Sequence, residues 1–112
     1  MHNTAQLDRN TWKAYFDNVS KLLDGKRVEI EVMALGIGSQ LAAEWLPALG
    51  VTYDPKNDLL AVMAEGVDHM VRHPRAVFVE TEGVNLHSID IIGDDGASHV
   101  IRFREALLLP AP

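Results

Sequence analysis

EWLPALGVTYDPKNDLLAVMAEGVDHMVRHP, residues 44–74, sets the architecture of the chain. Pro47 limits whatever precedes it, because the residue before a proline is pushed out of helical geometry. Leu49–Tyr53 suits a short strand. Asp54-Pro55-Lys56-Asn57-Asp58 is turn chemistry: proline fixes φ, and the Asp and Asn side chains close local hydrogen bonds. Leu59–Glu65 reads as the returning strand, so the two segments predict a hairpin. Asp54 and Asp58 lack the spaced ligands and terminal Glu of an EF-hand loop, which favours a turn over a calcium site. Gly66–Pro74 follows as a surface turn. On a helix His69 and His73 would share a face at i, i+4, as zinc-binding histidines do. Met70-Val71-Arg72 between them supplies no zincin Glu, and Pro74 truncates a helix at once. In an extended segment the two rings lie too far apart to chelate easily. No metal and no cofactor is therefore assigned.

Upstream, residues 1–7 read as a loose tail. Asp8, or Asn10, suits an N-cap. Trp12, Tyr15, Phe16, Val19, Leu22 and Leu23 then form one apolar stripe of a helix, ended by Asp24-Gly25-Lys26. Val28, Ile30 and Val32 alternate with Glu29, Glu31 and Met33, the pattern of a half-buried strand whose glutamates face solvent. Leu35-Gly36-Ile37-Gly38-Ser39 is a turn or bulge; it lacks the third glycine of a dinucleotide fingerprint and any Gly-Lys-Ser/Thr. Gln40–Leu46 fits either a strand or a helical turn.

Downstream, Arg75–Glu82, Leu86–Ile92 and Ser98–Glu105 read as strands. Gly93-Asp94-Asp95-Gly96 between the last two is the clearest hairpin turn. Val100, Arg102 and Arg104 share one face of the last strand, with Ile101 and Phe103 inward. Leu107-Leu108-Leu109 suits an edge cover or a subunit contact. One helix before a run of strands, without βαβ alternation, predicts an α+β fold: an N-terminal helix packed on a bent, mainly antiparallel sheet of about five strands, or a small open barrel.

At 112 residues the chain predicts one domain, 1–112. A chain of this size buries roughly two thirds of its unfolded surface, enough for a core without staples. The absence of cysteine excludes disulfides, Cys-ligated zinc, iron–sulfur clusters and a thiol nucleophile. MHNTAQLDRN carries no apolar signal region, and no 18-residue apolar run follows. These features predict a cytoplasmic protein with no membrane partner. A net charge of −6 opposes nucleic-acid binding, which would have to rely on Arg72, His73, Arg75, Arg102 and Arg104.

Several groups of residues together carry a family resemblance: Trp12-x-x-Tyr15-Phe16, Val28-x-Ile30-Glu31-Val32, Leu35-Gly36 with Gln40, and Ala43-Glu44-Trp45-Leu46-Pro47. Gly50-x-Thr52-Tyr53-Asp54-Pro55-Lys56-x-Asp58, Asp68-His69 with Pro74, and Arg104-Glu105-x-Leu107 continue it. Over Trp12 to Pro110 the chain resembles the small bacterial proteins known as domain of unknown function 5335. That resemblance implies a stand-alone bacterial domain and nothing catalytic.

Two functional readings follow. The first is a non-catalytic binding or protein-interaction module, with a protein partner or self-association, and with Trp45, Tyr53 and His69 as candidate binding residues because aromatic side chains anchor interfaces. The second is a small metal-dependent or histidine-based enzyme using Asp68, His69, His73 and Glu44. No nucleophile accompanies the second, since Ser20, Ser39, Ser88 and Ser98 lack an elbow motif.

Overall fold

The computed structural model describes residues 2–110. Its chain order is β1 (Asn3–Gln6), a 3₁₀ turn (Arg9–Thr11), α1 (Trp12–Ser20), β2 (Arg27–Ala34), β3 (Gly38–Asp54), β4 (Leu59–Ala64), β5 (Val67–Arg72), β6 (Ala76–Glu82), β7 (Asn85–Ile92) and β8 (Ser98–Leu108). The strands form one sheet in the order β1-β6-β7-β8-β2-β3-β4-β5, every neighbouring pair antiparallel. A helix with a mainly antiparallel sheet is as predicted; eight strands replace the expected five or so.

The additional strands come from segments whose sequence hides them. Asn3–Gln6, expected within a loose tail, pairs with Phe78–Thr81 on β6. All four of its residues are exposed, so it carries no apolar alternation. Backbone hydrogen bonding holds it, and Leu7 N–H extends the contact to the Val77 carbonyl at 2.8 Å. Residues 67–72, expected as a turn, form β5 against β4, with His69 opposite Val62 and Val71 opposite Leu60. The ambiguous 40–46 segment belongs to β3, which has 17 residues.

β3 passes Pro47 by changing partners. Its first part pairs with β2 up to Pro47 and its last part with β4 from Ala48. Three extra residues accumulate on it. Between Val28↔Leu46 and Ile30↔Ala43, and again between Ile30↔Ala43 and Glu31↔Leu41, β3 advances one residue more than β2. Between Ala48↔Ala64 and Gly50↔Met63 it advances one more than β4. Such bulges bend a strand and increase its twist. Trp45, at the first of them, takes φ 51°. The missing N–H of Pro47 costs nothing at this corner, while its carbonyl accepts from Glu65 N–H at 2.9 Å.

The sheet curls. β5 stands four places from β8, which in a flat sheet is roughly 19 Å. Yet His69 Nε2 on β5 lies 2.8 Å from His99 Nδ1 on β8. Inside the curl one cluster of buried side chains draws on α1 and on β2 to β8, with Phe16, Ile30, Leu60, Ile89, Ile101 and Leu107 fully buried. α1 contributes Trp12, Phe16 and Val19 from its apolar stripe. It is pinned to β3 by Ser20, whose hydroxyl donates to the Val51 carbonyl at 2.6 Å and accepts from Val51 N–H at 2.8 Å.

Candidate functional site

The Asp54–Asp58 turn forms as its sequence predicts, with Asp54 Oδ1 accepting from Lys56 N–H at 2.9 Å. At its end Asp58 takes φ 49°, and opposite it His73, before Pro74, takes φ 51°. Left-handed backbone is uncommon outside glycine, although Asp and His tolerate it better than most residues. Strained residues of this kind collect where surrounding contacts over-determine them. Here the contacts are explicit. His73 N–H donates to the Asp58 carbonyl at 2.8 Å, and His73 Nδ1 lies 3.3 Å from Asp58 Oδ2. The Tyr53 hydroxyl donates to Asp58 Oδ1 at 2.6 Å. Arg9, from the 3₁₀ turn, donates to the Tyr53 hydroxyl, to Asp58 Oδ1 at 3.1 Å and to the Pro74 carbonyl at 2.8 Å. Its guanidinium stacks 4.4 Å over the Trp12 ring, and Trp12 meets Tyr53 edge to face.

The Tyr53 hydrogen bond, with help from His73 and Arg9, holds the Asp58 carboxyl below the usual carboxylate range against the effect of burial. Burial first, and then Asp58, pushes the Tyr53 phenol up. The cluster is an Arg–Tyr–Asp–His network whose polar groups face one another. It ties three distant segments together: the residues before α1, the β3–β4 turn and the β5–β6 link.

A second cluster lies at the mouth of the curl. His69 and His99 share one N–H···N bond, so one ring donates and the other accepts. Burial pulls both imidazoles below the usual histidine range, the neighbouring His99 adding to the effect on His69. Asp95 and Asp90 partly counter it at His99. Beside them Met70, Arg72, Gly93, Asp94, Asp95 and His99 line an open groove of about 360 Å³.

The three predicted binding residues occupy separate neighbourhoods. Tyr53 is 7% exposed, with its ring in the core. His69 is half-buried against His99. Trp45 is half-buried at the β3 bulge, and its carbonyl accepts from Arg27 at 3.0 Å. Among the described residues no hydrogen bond or ring contact joins any two of them. The enzyme reading's histidines also part company, His69 to His99 and His73 to Asp58, while Asp68 and Glu44 are exposed. Among the described residues no group of three or more His, Asp or Glu could hold a metal ion.

Arg102, one of the cations considered for nucleic acid, sits between the paired glutamates of β2, 2.9 Å from Glu29 and 2.7 Å from Glu31. Cross-strand register places it there, with Glu29 directly opposite. Ser39 and Arg102 hold the Glu31 carboxyl below its usual range.

The sequence reading missed Arg9 and His99, whose partners lie 44 to 65 and 30 residues away. It also read only a turn at the end of the β2–β3 hairpin. There Leu35 is fully exposed, Ile37 is 68%, Leu41 54% and Met33 38% exposed.

The chain matches the family described as "Family of unknown function (DUF5335)" over residues 3–112. It belongs to that family. Another chain similar to it is an uncharacterised protein of Aquifex aeolicus (strain VF5), 35% identical over 108 residues, which are 96% of this chain and 97% of the relative. No solved structure matches. For this DUF5335 member Tyr53, Asp54, Asp58 and Pro74, all among the residues that carry the family resemblance, belong to the Arg9–Tyr53–Asp58–His73 clamp and its turns. In this DUF5335 chain no described helix is long and apolar enough to cross a membrane.

Proposed function

We propose that this protein is a non-catalytic protein-interaction module that contacts its partner through the tip of the β2–β3 hairpin. The observation that carries this reading is the apolar tip itself: Met33, Leu35, Ile37 and Leu41 present large side chains to solvent around one hairpin turn. Contiguous exposed apolar surface marks an interaction site more often than isolated exposed residues do. Gly36 and Gly38, both at φ above +80°, let the turn hold Leu35 and Ile37 outward. The partner is a protein, not a lipid surface. Residues 28–44 contain no Lys or Arg, whereas segments that lie on anionic membranes are rich in them. Trp45, half-buried further along β3, is the remaining aromatic candidate for this surface.

The test is site-specific photo-cross-linking in the source cell. A cross-linker at position 35 is expected to give a discrete protein adduct that one at exposed Thr52 does not, and I37S is expected to weaken it. An adduct of twice the chain mass identifies a second copy as the partner. Equal adduct patterns from positions 35 and 52 would sink the proposal.

A further inference from the structure

Beyond the hairpin tip, and independent of it, we infer that the pocket lined by Lys26, Arg27 and Arg104 binds a small oxyanion, a phosphate or phosphate monoester. The pocket has a volume of about 330 Å³ and is lined by Gly25, Lys26, Arg27, Arg104 and Glu105. Three of these residues are cationic and one is anionic, a local charge of +2 in a chain whose net charge is −6.

Register makes the charges converge. β2 and β8 are antiparallel, with Val28 opposite Phe103. Arg27 on β2 and Arg104 on β8 adjoin that pair in the chain, Lys26 and Glu105 follow them, and all four line the pocket. Lys26 and Glu105 form an ion pair at 3.3 Å. Arg27 and Arg104 therefore meet in one pocket as like charges, which repel unless something compensates them. Nothing in the described chain does. Arg27 donates to the neutral Trp45 carbonyl, and Arg104 has no hydrogen-bond or ion-pair partner among the described residues. The same face of the same strands shows the contrast, since Arg102 is neutralised by two glutamates. The Trp45 carbonyl, delivered by the left-handed bulge residue, anchors one Arg27 nitrogen and leaves its other donors free. Guanidinium forks match the geometry of phosphate oxygens, and the nearby ammonium adds a point charge. Glu105 is largely exposed, and its pairing with Lys26 is weak enough for an incoming dianion to displace it.

The experiment is a ¹⁵N-HSQC titration of the full chain with inorganic phosphate, and separately with phenyl phosphate, against sodium chloride at matched ionic strength. Saturable shifts are expected at Gly25–Arg27, Arg104 and Glu105 and at the Trp45–Leu46 amides, with chloride producing none of them. R104Q should weaken phosphate binding by at least about tenfold, as loss of a charge-assisted pair of hydrogen bonds implies. R104E supplies a tethered carboxylate in the same pocket as Arg27. It should raise the thermal midpoint in phosphate-free buffer and abolish any further rise on adding phosphate. Tighter binding of the ester would identify a phosphorylated small molecule as the ligand, and equal or weaker binding the free oxyanion. Shifts of equal size at Arg72 and Arg75, equal effects of chloride, or unchanged binding by R104Q would each overturn the inference.

Discussion

Tyr53 shows how one side chain can serve both the core and the surface. Its ring packs against Trp12, and its hydroxyl reaches Asp58. Tyr53→Phe keeps the ring and removes the donor, so the expected loss is about 1–2 kcal/mol in a urea titration at neutral pH. The sign of the pH effect follows from Asp58. Its carboxyl titrates below the usual range in the folded chain, so its contribution is present above the unfolded value, near pH 4, and is lost as pH falls through the folded one. Because the Tyr53 bond is the largest cause of the depression, Tyr53→Phe should flatten the acid limb of stability against pH below about 4. An unchanged acid limb would mean that His73 and Arg9 hold the carboxylate without the phenol.

Elements here are joined by few, specific polar contacts over a continuous apolar core. Ser20 satisfies both the N–H and the C=O of Val51, which lie where β3 passes under α1. Ser20→Ala strands two backbone groups at that contact and should cost about 1–3 kcal/mol, read from the shift in denaturant midpoint. β5 and β8 meet through His69 and His99. Burial depresses both imidazoles, so the unfolded chain binds protons more readily than the folded one as pH drops. Stability is therefore expected to fall as pH descends through the ordinary histidine range, about 6.5 and below. H69L/H99L should remove that component, visible as a shallower slope of thermal midpoint between pH 7.5 and 5. A slope identical to wild type would mean that the His69–His99 pair does not carry the effect.

At the scale of the molecule, the folding core and the proposed interaction surface are separate. The core lies inside the curled sheet, whereas Leu35 and Ile37 touch none of it. L35S/I37S should accordingly change stability by no more than about 0.5 kcal/mol while weakening partner capture at the hairpin. Ile101, by contrast, is fully buried and central to the sheet order. Ile101→Ala should cost about 2–5 kcal/mol through lost burial and a residual cavity, measured by the same denaturation.

Local chemistry was legible wherever it alone decides the outcome. The apolar stripe from Trp12 to Leu23, the alternation from Val28 to Val32, and the Asp54–Asp58 and Gly93–Gly96 turns each depend on residues within a few positions of one another. They appear as read, except that the helix closes at Ser20 and leaves Leu22 and Leu23 beyond its end. Family membership was likewise contained in short residue patterns. Tertiary structure decided the rest. β1 exists because β6 offers it a free edge, which no property of Asn3–Gln6 announces. β3 is one bent strand because three bulges let it change partners at Pro47, and bulges erase the period-2 signal that would have revealed it. The placement of Arg27 and Arg104 in one pocket, of Arg102 between two glutamates and of His69 against His99 follows from strand pairing and curvature. Those are set by packing between residues 30 to more than 70 positions apart, so no local pattern carries them.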